Sequence, residues 1–95
     1  MAAYVIADVE VTDGAQFEEY RKLVPATVEA YGGKYIVRGG KSEVVEGSNT
    51  PHRTVIIEFP SFEQAKAWHG SDEYAGPKQM RIDSTNSNVM IVEGL

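Results

Sequence analysis

The sequence predicts an α+β domain, with a four-stranded antiparallel sheet carrying two helices on one face. Three observations point there. Short runs rich in β-branched residues alternate with segments whose apolar residues recur every three or four positions. The order of those runs is β-α-β-β-α-β. A chain of 95 residues has room for one core, so residues 1–95 form a single domain.

The first strand is Ala3–Val11. Val5, Ala7, Val9 and Val11 share one face, with Tyr4, Ile6, Asp8 and Glu10 on the other. Thr12-Asp13-Gly14 then gives a turn and an N-cap, and Gln16 stands in capping-box register with Asp13. Phe17, Tyr20, Leu23, Val24, Val28 and Tyr31 follow at helical spacing. Pro25 interrupts that stripe, so a kink or a split near Leu23 is expected. Gly32-Gly33 ends the helix. Lys34–Arg38 is the second strand. Residues 41–52 form a long irregular connection, with room for a short strand at Glu43–Glu46.

The third strand, Arg53–Phe59, contains the contiguous Val55, Ile56 and Ile57 of a strand covered on both faces. Pro60 lacks the N–H that further pairing needs, and Ser61 with Gln64 opens a second helix carrying Phe62, Ala65 and Trp68. Beyond Gly70, Ser71-Asp72-Glu73 caps a further short helical piece to about Arg81, made irregular by Gly76-Pro77. Asp83–Ser87 reads as polar loop and Asn88–Glu93 as the last strand. This is the split βαβ order of ferredoxin-like folds.

Alternation then assigns the faces. Val5, Ala7, Val9, Tyr35, Val37, Val55 and Ile57 should lie under the helices. Tyr4, Ile6, Ile36, Ile56, Met90 and Val92 collect on the helix-free side, which is too apolar to stay bare. A second copy, packed sheet to sheet in closed two-fold symmetry, is the simplest cover, so a homodimer is expected.

Composition narrows the function classes. A net charge of −5 opposes binding to a phosphate backbone, so nucleic acid is not an expected partner. The chain has no cysteine, which removes thiolate chemistry and Cys-based metal sites. Two distant histidines make a zinc site improbable, and neither a P-loop nor a dinucleotide glycine motif is present. No metal or organic cofactor is therefore expected. Met1 leads straight into the first strand without a basic leader, and no apolar run reaches the ~20 residues of a membrane span. The expectation is a cytoplasmic protein with no membrane partner.

Several ordered features resemble the domain of unknown function 1330 family. They are Tyr20, Pro25, Gly32-Gly33, Arg38-Gly39-Gly40, Glu46-Gly47, Arg53, Ile57-Glu58-Phe59-Pro60-Ser61, Ala67-Trp68, Ser71 and Glu73-Tyr74, and they span Ala3 to Gly94. The resemblance implies a dimeric α/β barrel built from ferredoxin-like subunits, and it carries over no catalytic residue. Relatives at the wider level include cofactor-free monooxygenases, lactone isomerases and haem enzymes, which is analogy of fold. Gly76-Pro77 departs from the family's more helical run.

Candidate site residues follow from chemistry and parity. Asp8, Arg38 and Glu58 share the parity of Ile6, Ile36 and Ile56, which would set all three on the helix-free face. There they would form either the polar floor of a ligand cavity or an ion-pair network fixing dimer register. His69 has the side chain best suited to proton transfer, and near a helix end it is equally suited to capping. Tyr20, Tyr31, Tyr35, Tyr74 and Trp68 would line an aromatic pocket or form core. His52, after Pro51, is expected in solvent. Two functions stay open: a small-molecule-binding or interaction module, with Arg38, Glu58, Trp68, His69, Asp8 and Tyr20 as ligand contacts, or a cofactor-independent enzyme of monooxygenase or isomerase type using His69, Glu58 and Arg38.

Overall fold

A computed structural model describes residues 1–95. The strands are β1 (Ala3–Val11), β2 (Lys34–Arg38), β3 (Arg53–Phe59) and β4 (Thr85–Glu93), and the helices are α1 (Gly14–Ala30), α2 (Phe62–His69) and α3 (Asp72–Ser84). The sheet runs β2-β3-β1-β4 with every neighbouring pair antiparallel. This is the expected ferredoxin-like α+β architecture, with three full helices where the sequence predicts two and a short helical piece. No helix is long and apolar enough to cross a membrane.

The core lies between sheet and helices. Val5, Val24, Val28, Ile57, Phe59, Ala65, Trp68 and Tyr74 form one buried cluster, and Ala7, Val9 and Phe17 form a second. Strict alternation of buried and half-buried residues along β1 gives Ala3, Val5, Ala7 and Val9 to this side.

Several boundaries differ from expectation, each for a local reason. Pro25 lies inside α1, which is one helix rather than two. Gly32, at φ +78°, ends it, with the Gly33 N–H closing onto the Val28 carbonyl at 2.9 Å. Gly76-Pro77 sits within a continuous α3. The Asp83–Ser87 loop is absent: α3 passes directly into β4, because the Ser84 and Thr85 hydroxyls donate to the Met80 and Arg81 carbonyls, each at 2.6 Å. Those bonds satisfy helix-end acceptors that a loop would otherwise have to serve. No strand forms at Glu43–Glu46.

The largest correction concerns β2. Tyr35 pairs with Ile57, but Val37 pairs with Ile56 and Arg38 with Val55, so a bulge lies between Tyr35 and Val37. One extra residue on one strand reverses the facing of everything beyond it. Val37 therefore joins the helix-free side, and Arg38 moves to the helix side.

Candidate functional site

Between the helices and the sheet lies a partly open cavity of ≈ 50 Å³, lined by sixteen residues of which twelve are hydrophobic. The other four are Arg21, Arg38, Arg53 and Arg81, the only arginines in the chain. None of the five lysines and none of the fourteen acidic residues lines it.

Each arginine arrives by a different route. Arg21 falls on the α1 stripe with Phe17, Val24 and Val28. Arg53 opens β3 on the side of Val55 and Ile57. Arg38 comes across by the bulge, and its guanidinium lies 4.5 Å from the Tyr35 ring centre. Arg38 Nη2 donates to the Arg21 carbonyl at 3.4 Å. Residue 21 stands four before Pro25, whose missing N–H leaves that carbonyl without its helical donor. The proline thus supplies an acceptor for Arg38. Arg53 Nη2 reaches the Arg38 carbonyl at 3.5 Å, and its guanidinium fills the space beside Gly39, where a Cβ would come within 2.5 Å of Arg53 Cζ. Gly39 has φ +71°, so both backbone and space call for glycine there.

Arg81 is 7 % exposed. It donates through Nη1 to the Ser87 hydroxyl at 2.6 Å and through Nε to the Tyr74 hydroxyl at 3.3 Å. Tyr74 in turn shares a 3.0 Å hydrogen bond with Tyr20. Arg81, Tyr74 and Tyr20 thus form one continuous hydrogen-bonded chain that ends at the cavity wall. Burial, and then the neighbouring Tyr74, push the Tyr20 hydroxyl far above the ordinary tyrosine range, so it stays a neutral donor. Burial also pushes Tyr35 up to about 12, against the pull of Arg38. Trp68 forms part of the wall, stacked on Tyr74 at 4.1 Å, and its indole N–H is held by Thr27 Oγ1 at 3.1 Å.

The six sequence candidates separate. Tyr20, Trp68 and Arg38 line the cavity, Arg38 on the side opposite to the one expected. Glu58 and Asp8 are on the helix-free face, well apart along it. Glu58 pairs with Lys34 at 3.3 Å. Asp8 accepts the His52 backbone N–H at 2.7 Å, and the His52 ring lies 3.6 Å from Asp8 and 3.3 Å from Glu10. His52 stays exposed, as expected, with its ring tethered to the two carboxylates. The shared cluster of Asp8, Arg38 and Glu58 does not form, because the bulge removes its cation. His69 lies outside the cavity wall, its ring 6.2 Å from Tyr74. Partial burial, then Lys78 and Arg81, lower its affinity for a proton. Tyr31 is also elsewhere, donating to Glu73 at 2.7 Å.

Arg21, Arg53 and Arg81 are the residues that sequence reasoning missed. The signal for two of them was present: a cation on an apolar helical stripe, and a cation with the parity of buried strand residues. No group of three or more His, Cys, Asp or Glu side chains is arranged to hold a metal.

A family model described as a domain of unknown function, DUF1330, matches residues 2–95. No curated protein matches the chain. Among solved structures, a protein of unknown function from Rhodopseudomonas palustris is similar at 15% identity and TM-score 0.78, covering 99% of this chain and 82% of that one. A dimeric ferredoxin-like protein of unknown function from Jannaschia sp. CCS1 gives 11% identity and TM-score 0.71, covering 99% and 100%. A provisionally assigned antibiotic biosynthesis monooxygenase from Nitrosomonas europaea gives 12% identity and TM-score 0.57, covering 99% and 90%. At these identities the likeness is one of fold.

Proposed function

The chain belongs to the DUF1330 family, and from that membership, which names no reaction, we propose that it is a homodimeric module binding a small molecule between its helices and its sheet. The observation that carries the reading is the cavity itself, an opening into what should be close-packed core. Tyr20, Trp68 and Arg38 are its ligand contacts in this reading, and Asp8 and Glu58 belong to the opposite, dimer-forming face. Filling the space tests it. Ala7→Leu should preserve the fold and abolish melting shifts produced by a small-fragment library. Equal shifts in wild type and variant would remove the cavity from consideration.

The dimer completes the module. Ile36, Val37, Met90 and Val92 are 48%, 36%, 55% and 37% exposed on a single chain, around the half-buried Ile6 and Ile56. A second copy buries this patch, and the Jannaschia protein is described as dimeric.

A second reading, a cofactor-independent enzyme of monooxygenase or isomerase type, rests on the Arg81–Tyr74–Tyr20 chain, which places a neutral hydroxyl in the cavity wall. His69, one residue beyond the wall, would need a bound water to take part. Turnover of small aromatic or lactone compounds that is lost in Tyr20→Phe would establish this reading over simple binding.

A further inference from the structure

We propose that the cavity takes a compact organic anion, with a carboxylate held by Arg21, Arg38 and Arg53 and a short apolar body among Val5, Val55 and Trp68. The assignment rests on the binding reading above and adds the chemistry of the ligand.

The charge distribution carries the argument. In a chain of net charge −5, all four arginines face one cavity and no lysine does. The guanidinium fork matches a carboxylate in two hydrogen bonds, whereas an ammonium acts as a point charge. Arg21, Arg38 and Arg53 are near neighbours, linked through each other's carbonyls rather than through acids. Glu18 supplies the one carboxylate nearby, bound to Arg21 Nη1 at 3.1 Å on the exposed side. Arg38 and Arg53 have no acidic partner, and Arg21 Nε is buried without any hydrogen-bond acceptor. Burial and then the charges of Arg21 and Arg38 already weaken Arg53's hold on its proton. Three cations sharing one carboxylate are a standing repulsion that an incoming anion relieves.

Arg38 is exposed while Arg81 is buried, so the trio marks the mouth and the apolar body points inward. Size then limits that body. A cavity of about 150 Å³ accommodates benzene, and this one is ≈ 50 Å³, so a short branched aliphatic group matches its inner part best. An inorganic anion would leave the apolar wall unused.

Isobutyrate is the probe, with isobutyramide as its uncharged near-isostere and inorganic phosphate as the anion without an apolar body. Trp68, the sole tryptophan, reports occupancy through its emission. Isobutyrate should bind about tenfold or more tighter than either comparison compound, as expected for a charge-assisted pair, and should weaken with salt. Arg53→Gln should weaken it by about tenfold while leaving the ligand-free melting temperature equal or higher, since it relieves repulsion. Loss of folding in that variant moves the test to Arg38→Gln, exposed at the mouth, where the same weakening is expected. Equal binding of isobutyrate and isobutyramide would overturn the anion assignment and leave the binding reading standing. Equal binding of phosphate would overturn the apolar body. Unchanged isobutyrate affinity in the arginine variant would remove the trio. Silence toward all three probes, with no fragment shifting the melt, would overturn both readings together.

Discussion

Thr27 and Trp68 show how much one side chain can settle. The indole is 2 % exposed and its N–H has Thr27 Oγ1 as acceptor, 3.1 Å away. Thr27→Val keeps the shape and removes the acceptor, so the protein should lose about 1–3 kcal/mol in urea unfolding, the cost of an orphaned buried donor. His69 offers a pH test with a definite sign. Its folded form holds a proton less tightly than its unfolded form, because of partial burial and the charges of Lys78 and Arg81. The unfolded chain therefore binds more protons in the window below the ordinary histidine pKa of ~6.5, and stability must fall as pH drops through it. His69→Gln should lose this component, so wild type should weaken more than the variant between about pH 7 and pH 5. A parallel pH dependence in the two would show that His69 is equally solvated in both states. At this scale the sequence disclosed Tyr20 and Trp68, since aromatics on helical stripes must meet the core. It disclosed Arg21 and Arg53 only as cations in apolar registers, a pattern that snorkelling side chains also produce.

Helices and strands were the most legible level, and their errors are informative. Ser71 was readable as a cap, and its hydroxyl accepts the Tyr74 N–H at 3.2 Å while donating to the Trp68 carbonyl at 2.8 Å. Because it joins α2 to α3 in a buried place, Ser71→Ala should cost about 1–2 kcal/mol in thermal or denaturant unfolding. Pro25 and Pro77 both suggested breaks, yet each lies inside a continuous helix, because packing of α1 and α3 on each other and on the core outweighs one missing hydrogen bond. The α3–β4 junction was unreadable because serine and threonine can either make a loop or serve the last helical carbonyls. The bulge in β2 left no mark in the residues: Tyr35, Ile36 and Val37 are contiguous and apolar, which suits either register, and only pairing with β3 shows the added residue.

The molecule as a whole presents two unlike sides. Toward the helices it has packed core with one hollow, and toward the other side a row of Ile6, Ile56 and Met90 in cross-strand register. Charged groups stand near its ends, Lys34 with Glu58 and His52 with Asp8 and Glu10. Ile56→Glu should convert the proposed dimer to monomer in light scattering without loss of helical circular dichroism. A wild-type chain that is already monomeric at micromolar concentration would remove the assembly reading altogether. The apolar excess on this face was visible from alternation alone. The hollow was not, since a cavity is a shortfall in volume among several elements and no local pattern records it.

The irregularity in β2 has a consequence for how such a protein can change. An edge strand is tied to one neighbour, so gaining or dropping a single residue there re-indexes its tip while the interior strands stay put. Closing the bulge with every residue kept, so that Ile36 faces Ile56, would send Arg38 to the far side of the sheet and leave the hollow with three cations instead of four, a change of ligand preference achieved without substituting any wall residue.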